Sequence, residues 1–295
     1  MSRCASFLYD IKSPVNASST ARIGGPWLRP RRLACERNQQ RRDHDPLRTV
    51  GKKSARHRCS VRHRLGDFEA EAEAGCTVAL NHLPDDPRAP EEVSKLRADG
   101  YDVFGVPGVI GDGKEAELVN VALDKMGGLD LLVNNAGTPG ARKSISSSDL
   151  DLITDEVWSA VLDTNLIGLF RCTRAAAPSL RQSRGAIVSL ASVSALTSRG
   201  SSLAYAASKA GIIAITRHLA QGLAPEIRIN AVAPGAVDST WQIEWTEAQR
   251  QSSIERTPLR RRCVPEDIAE TIVYLGFAAP MITGQTIVID GGLTL

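Results

Sequence analysis

The sequence predicts an α/β fold, a doubly wound parallel sheet within a single domain. Its 295 residues are 42% hydrophobic and 23% charged, which is typical of a globular protein that buries a sizeable core. From Cys76 onward, short apolar runs alternate with helical segments. The runs are apolar throughout, as in parallel strands that helices cover on both faces.

The predicted elements follow one another without an internal repeat. Two helices begin with a proline, at Pro90 and Pro265, and a third has Thr154 as its N-cap with Asp155 and Glu156 in the first turn. In chain order, the elements are strand Cys76–Leu80, helix Pro90–Asp99, strand Tyr101–Val106, helix Glu115–Met126, strand Leu129–Val133, helix Thr154–Leu180, strand Gly185–Leu190, helix Ala204–Leu223, strand Ile227–Val232, helix Pro265–Phe277 and strand Thr286–Ile289.

The first 64 residues differ from the rest in charge. They hold 13 Arg and 3 Lys against four acidic residues, a net charge of +12, so the remaining chain carries −9. Because this segment shows no sustained apolar period, we predict a disordered basic arm over residues 1–64 and one domain over residues 65–295. A mitochondrial transit peptide and a nucleic-acid-binding tail are the alternatives, and neither has a motif behind it.

Cysteine usage and hydropathy exclude other classes of protein. Six Cys without a CxxC pair favour neither a zinc site nor a disulfide framework. The longest apolar stretches, such as Ile272–Ile282, are shorter than the ~18 residues that a membrane span needs. We therefore expect no metal, no membrane and no nucleic-acid partner. The expected location is the cytoplasm, or the mitochondrion if the arm is a transit peptide.

A possible acid/base pair lies on one predicted helix. Tyr205 and Lys209 are four residues apart, so their side chains share a face. An ammonium beside a phenol lowers the pKa of the phenol, which makes Tyr205 a usable general acid or base. Ser192 follows a strand, where its hydroxyl can bond a carbonyl held over the sheet edge. Taken singly, the pair could equally be a solvated Tyr and Lys on a helix surface, and a turn serine is the favoured interpretation of Ser192.

Polar or small residues also follow two other predicted strands. Asn134–Gly137 comes directly after one strand, where an Asn can bridge neighbouring strand ends and small residues allow a ligand to approach the backbone. Asn230–Gly235 leads another strand into a turn. Asn165 lies inside an otherwise apolar helix, where a buried, hydrogen-bonded core residue is the ordinary expectation.

Together these residues are far more specific than any one of them. The ordered set of Asn134-Asn135-Ala136-Gly137, Asn165, Ser192, Tyr205-x3-Lys209, Pro234-Gly235 and Asp290-Gly291-Gly292 resembles the short-chain dehydrogenase/reductase family. The resemblance covers Ala72 to the C-terminus and is closest to the 3-oxoacyl-acyl-carrier-protein reductase and glucose-dehydrogenase-like branch. It implies a Rossmann-like fold and a nicotinamide cofactor.

The resemblance also implies roles for single residues. Tyr205 would exchange the proton with the substrate, Lys209 would lower its pKa and hold the nicotinamide ribose, Ser192 would polarise the carbonyl, and Asn165 would hold a water in a proton relay. The cofactor-binding residues that it implies are Asn81, Asn134, Ala136, Gly137, Tyr205, Lys209, Pro234, Gly235, Val237 and Ser239.

The sequence departs from the family pattern at several positions. Ser239 replaces the usual Thr and keeps the hydroxyl, whereas Val109 replaces an Asp that faces the adenine. The second strand ends in Asn81-His82 rather than an acid, so no carboxylate repels a 2′-phosphate. We therefore expect NADP, with NAD as the alternative.

The largest departure is the absence of the family's glycine loop and first strand before Ala74. Without glycines, a backbone cannot approach a pyrophosphate closely. The genetic code allows another reading of this run if the reading frame is shifted by one base. Each shifted codon then consists of the last two bases of one original codon and the first base of the next, and the run from Ser54 can encode Val-Leu-Val-Thr-Gly-Ala-Ala-Ser-Gly-Ile-Gly. We hypothesise that residues 54–68 are a frame-shifted form of this loop. The chain as written should then lack a well-formed first strand and bind NADP weakly.

The predicted function is an NAD(P)-dependent carbonyl reductase or secondary-alcohol dehydrogenase. The preferred substrate is a 3-oxoacyl thioester, as in fatty acid biosynthesis, with the ketone or alcohol carried on an acyl-carrier protein. A sugar or other alcohol dehydrogenase and a catalytically dead homologue are the alternatives. The resemblance also implies a homotetramer or homodimer. Asp238–Arg256 is expected to be the variable segment that borders the substrate.

Overall fold

The computed structural model describes residues 4–7, 76–238 and 245–295 of the chain. In this part, seven parallel strands form one sheet in the order β3-β2-β1-β4-β5-β6-β7. The strands are β1 Cys4–Phe7, β2 Thr77–His82, β3 Asp102–Pro107, β4 Leu131–Asn134, β5 Ala186–Leu190, β6 Arg228–Pro234 and β7 Thr286–Ile289. This topology confirms the predicted doubly wound α/β domain.

From β2 onward, the described residues form one α-helix between successive strands, except between β4 and β5 and between β6 and β7, where they form two. These helices are α1 Ala89–Ala98, α2 Glu115–Met126, α3 Asp155–Leu162, α4 Leu169–Ser183, α5 Leu203–Leu223, α6 Glu247–Arg256 and α7 Pro265–Val273. Thr154 caps α3 as predicted, and its hydroxyl accepts from the amide of Val157. The predicted continuous helix Thr154–Leu180 is interrupted, because a π-helical turn over Asp163–Gly168 separates α3 from α4.

The core lies around the middle strands. All four residues of β4 and all five of β5 are buried, and Leu131, Leu132 and Ile187 are among the largest fully buried side chains. Strands buried on both faces need helices on both sides of the sheet, which the α/β alternation supplies. The main core is therefore the sheet itself and the helix faces packed against it.

The central strand contradicts two predictions. Cys4–Phe7 belongs to the segment predicted to be a disordered arm, and the chain was expected to lack a well-formed first strand. Instead, β1 pairs with β2 through Cys4–Val78 and with β4 through Cys4–Leu131. An empty central position would leave backbone donors and acceptors of β2 and β4 unpaired within the sheet, and β1 supplies their partners. The hypothesised frame-shifted loop, residues 54–68, lies outside the described residues.

Because all strands are parallel, their carboxyl ends meet at one edge of the sheet. At this edge β4 ends at Asn134, β5 at Leu190 and β6 at Pro234. The predicted site motifs directly follow these strands, so the fold brings them together from distant parts of the sequence. Within residues 4–7, 76–238 and 245–295, none of the helices has the length and apolar character that a membrane span requires.

Candidate active site

A cavity of about 550 Å³ opens at this carboxyl edge. Its volume is in the range of a small-molecule site. Three of the four predicted catalytic residues line it, Ser192, Tyr205 and Lys209, together with the β6 turn from Pro234 to Val237. The structure therefore brings the predicted nicotinamide-side residues together around one cavity.

Tyr205 is fixed by the start of α5. Ser202 is the N-cap of this helix, and its hydroxyl accepts from the amide of Tyr205 at 3.1 Å. The Ser208 hydroxyl donates to the carbonyl of Tyr205 at 2.7 Å. These bonds hold the backbone of Tyr205 at the helix start, with its side chain against the cavity.

Lys209 lies one turn further along α5 and is 3% exposed. Its ammonium donates to the carbonyl oxygen of Leu190, at the end of β5, at 2.6 Å, and lies 5.6 Å from the centroid of the Tyr205 ring. Burial lowers the pKa of Lys209 to about 7. A cation with few polar partners loses hydration that one carbonyl replaces only in part.

The pKa of Tyr205 differs from the sequence-based prediction. Burial raises it to about 12, and a hydrogen bond with Ser192 lowers it only in part. The expected lowering by Lys209 is not found, because the ammonium donates to Leu190 and burial disfavours the phenolate. At neutral pH Tyr205 is therefore a neutral phenol, the form that donates a proton.

Asn165 is fully buried in the π-helical turn, and its amide connects separate segments. Its Oδ1 accepts from the amide of Thr138 at 2.7 Å, and its Nδ2 donates to the Thr138 carbonyl and to the Ser208 hydroxyl, both at 3.0 Å. Both amide hydrogens are thus used within the protein. The side chain positions the segment after β4 against α5, and its hydrogens are not available to a relay water.

The Asn134–Gly137 segment divides into structural and site residues. Asn134 donates to the hydroxyls of Thr173 at 3.1 Å and Ser189 at 3.4 Å, so it bridges neighbouring elements instead of facing a ribose. Gly137 lies against the site, where an added Cβ would be 3.3 Å from Asn165 Oδ1 and 3.6 Å from Lys209 Nζ. Ala136 is half-buried beside the main core.

Asn81 has a structural position that its sequence pattern did not reveal. It is fully buried, and its amide donates to the carbonyls of Val106 and Gly108, both at 3.0 Å. The side chain thus joins the ends of β2 and β3 rather than facing a cofactor phosphate. The neighbouring His82 is only partly buried.

The turn after β6 closes one side of the cavity. Gly235 packs against Asp290, since an added Cβ would lie 2.7 Å from the Cβ and 2.9 Å from the Cα of Asp290. Its amide donates to the Ile289 carbonyl at 2.8 Å. Pro234 and Val237, two of the residues expected to bind the cofactor, line the cavity, and Ser239 lies outside the described residues.

Two further residues of the site, Asn135 and Arg262, were not among the predicted catalytic or cofactor-binding residues. Asn135 is 8% exposed and lines the cavity, and its Oδ1 has no hydrogen-bond partner among the described residues. Arg262 also lines the cavity. Asn135 could have been selected, because it belongs to the same strand-end motif as Asn134. Arg262 had only its place in a run of three arginines, which is equally typical of a solvated surface.

The nicotinamide end of a dinucleotide fits this donor set. A ribose offers hydroxyls, which match the buried, unpartnered Oδ1 of Asn135, the Lys209 ammonium and the Tyr205 hydroxyl. Gly137 and Gly235 keep the neighbouring backbone free of side chains. The described residues contain no group of three or more His, Cys, Asp or Glu side chains that could hold a metal ion.

Comparison with known proteins gives consistent matches. A family model described as Enoyl-(Acyl carrier protein) reductase matches residues 69–294. A 3-oxoacyl-[acyl-carrier-protein] reductase of Staphylococcus aureus is 35% identical over 227 residues, covering 75% of this chain and 89% of the relative. A crystal structure of a 3-oxoacyl-[acyl-carrier protein] reductase with bound NAD from Brucella melitensis is 28% identical with a TM-score of 0.68, covering 78% of this chain and 86% of that one.

A relative with another substrate matches almost equally well. The structure of a 7α-hydroxysteroid dehydrogenase complexed with NADH and 7-oxo glycochenodeoxycholic acid is 27% identical, with a TM-score of 0.67. The match covers 75% of this chain and 86% of that one. Overall likeness therefore does not select one substrate among these relatives.

Proposed function

Since the chain belongs to the short-chain dehydrogenase/reductase family, whose oxidoreductases act on CH–OH groups with NAD(P), we propose that it reduces a ketone with Tyr205 as the proton donor. One observation carries this proposal: Ser192, Tyr205 and Lys209 converge on a single cavity. Two of them lie on α5 and one follows β5, so the fold has assembled a donor set suited to a carbonyl oxygen.

Each residue has a distinct task in the proposed reaction. Ser192 orients the carbonyl oxygen next to the Tyr205 hydroxyl, and the neutral phenol donates its proton to the oxygen as negative charge develops there. A positive charge on Lys209 then stabilises the phenolate that remains. The nicotinamide supplies the hydride when bound. Asn165 is a positioning residue, because it contacts Thr138 and Ser208 rather than the cavity.

The finer parts of the proposal concern substrate, cofactor and assembly. The 35% identical reductase supports a 3-oxoacyl thioester, carried on an acyl-carrier protein, and the steroid dehydrogenase keeps another alcohol or a sugar as the alternative. NADP remains our preferred cofactor, because no acid follows β2 before Asp85. Ile167 and Phe170 are exposed apolar residues that support a homo-oligomer built partly on α4. The buried free thiols fit a reducing compartment such as the cytoplasm.

Replacement of a single hydroxyl tests the assigned acid. With NADPH and a 3-oxoacyl thioester, Tyr205→Phe should lose about 100-fold or more in kcat while its melting temperature and cofactor affinity stay near those of the wild type. The matched control is Tyr274→Phe, because Tyr274 is 51% exposed and lies outside the cavity. Wild-type turnover by Tyr205→Phe would refute the mechanism.

A catalytically dead homologue is the second candidate, and one observation favours it. No glycine occurs between β1 and Gly24, whereas a pyrophosphate that approaches a backbone closely requires glycines near the strand end. We expect the chain as written to bind NADP weakly. Thermal-shift titration with NADPH measures this, and a stabilisation that saturates at micromolar NADPH would reject the dead homologue.

A further inference from the structure

Positive charge dominates the wall of the active-site cavity. The described lining residues include four arginines, Arg199, Arg250, Arg256 and Arg262, besides Lys209, and none of them is Asp or Glu. This charge contrasts with the domain as a whole, since residues 65–295 carry a net charge of −9. A low-dielectric cavity lined by one sign of charge attracts a ligand of the opposite sign.

Arg262 is the buried member of this group. Its side chain is 9% exposed, and Nη2 donates to the Val237 carbonyl in the turn after β6. Its guanidinium lies over the ring of Trp245, 4.9 Å from the centroid. Nε and Nη1 have no hydrogen-bond partner among the described residues. Buried guanidinium N–H groups without partners are costly, because they have lost water without a replacement.

The nearest acid satisfies Arg262 only weakly. Asp238 Oδ1 lies 3.8 Å from Arg262 Nη1, which is too far for a hydrogen bond. Asp238 is 61% exposed, and the same oxygen accepts from Arg250 at 3.3 Å. The single carboxylate of Asp238 thus lies near two guanidinium groups, so these three side chains together keep a net positive charge.

The two preceding arginines differ from Arg262 in how their guanidinium groups are hydrogen-bonded. Arg261 makes two hydrogen bonds to the Asp267 carboxylate, at 2.6 and 2.7 Å. Arg260 donates to the Glu255 carbonyl at 2.6 Å. Both have structural partners on the outside of the domain, whereas Arg262 lines the cavity and keeps two N–H-bearing nitrogens without a hydrogen-bond partner among the described residues.

We propose that Arg262 binds an anionic group, a carboxylate or a phosphate, carried by the substrate whose ketone lies at Tyr205. The inference rests on the proposed function, because it places both groups in the same cavity. A guanidinium presents paired N–H donors that match the two oxygens of a carboxylate or phosphate. Trp245, stacked on the guanidinium, adds an apolar surface for the carbon chain beside the anion. The inference therefore describes the substrate as a ketone whose remaining part carries a carboxylate or a phosphate.

Matched pairs of ketones test the anion. The full chain is assayed with NADPH on levulinate and its methyl ester, and on hydroxyacetone phosphate and hydroxyacetone. We expect a lower KM for the anionic member of at least one pair, and the pair that responds identifies carboxylate or phosphate as the source. Arg262→Gln should raise that KM by about 10- to 100-fold and change the KM of the neutral ketone by less than about threefold. The glutamine retains a donor for the Val237 carbonyl.

A control variant and a binding assay distinguish a failure of the anion site from a failure of the reductase proposal. Arg181→Gln removes the same charge from the exposed end of α4, away from the cavity, and should leave both KM values unchanged. Equal KM values for anionic and neutral ketones, or equal effects of the two substitutions, would overturn the anion site while leaving the reductase proposal intact. If neither these ketones nor a 3-oxoacyl thioester is reduced, the reductase proposal fails, and calorimetric titration with levulinate and hydroxyacetone phosphate decides the anion site. Binding that Arg262→Gln abolishes supports it, and no binding overturns it.

Discussion

Removal of the Asn165 amide should destabilise the domain strongly. Asn165→Ala deletes three buried hydrogen bonds, two to the backbone of Thr138 and one to the Ser208 hydroxyl. Each such bond contributes about 1–1.5 kcal/mol, so the free energy of unfolding should fall by about 3–5 kcal/mol. This is a large part of the ~5–15 kcal/mol that usually stabilises a domain.

Urea denaturation of the wild type and the variant measures this loss directly. The midpoint should shift to lower urea while the slope of the transition stays the same, because the surface exposed on unfolding is unchanged. Asn120→Ala is the matched control, since Asn120 is exposed on α2 and should change stability by less than about 0.5 kcal/mol. A loss below about 1 kcal/mol in Asn165→Ala would refute a positioning role for this amide.

Two further predictions follow from buried polar groups. Burial lowers the pKa of Lys209 from its ordinary 10.5 to about 7, so the unfolded chain binds this proton more tightly between those values. The wild type should therefore gain stability relative to Lys209→Met as the pH rises from about 7 to about 9, and equal urea midpoint shifts in both proteins would refute the low pKa. Asn81→Asp would place a carboxylate 3.0 Å from two carbonyl oxygens, so it should lower the melting temperature by roughly 5 °C or more without favouring NADH. A stable variant that prefers NADH would show that residue 81 faces the cofactor after all.

Periodic elements of the fold were predictable from the sequence, and short or polar ones were not. The strands from β2 to β7 lie where apolar runs predicted them, because strands that are buried on both faces consist mainly of apolar residues. The four residues of β1 are too few to show a period, and only their pairing with β2 and β4 defines them. The polar helix α6 has no apolar stripe. Its signal was the capping box of Thr246 and Gln249.

Within the site, sequence spacing predicted which residues lie close together, but it did not predict the hydrogen-bond partner of each polar group. The four-residue spacing placed Tyr205 and Lys209 on one face of α5 and brought both to the cavity. It could not show that the Lys209 ammonium donates to the Leu190 carbonyl. This contact depends on how β5 and α5 pack together, which the spacing does not contain. Asn81 and Asn134 were expected to face a cofactor, yet both bond to neighbouring elements, since a strand-end amide can turn toward either.

The π-helical turn lets α3 and α4, which lie on either side of it in the chain, pack against two different hydrophobic clusters. A residue added to a helix rotates everything after it by about 100°, so this turn sets the angular phase of α4 relative to α3. Before the turn, Val161 packs with Ile153 and Ala204; after it, Cys172 packs into the main core around the sheet. Because a π-helical turn contains more residues than an α-helical one, a one-residue deletion within Asp163–Gly168 that restores α-helical hydrogen bonds should leave both halves in phase, whereas a deletion within α4 should rotate the residues after it away from the core.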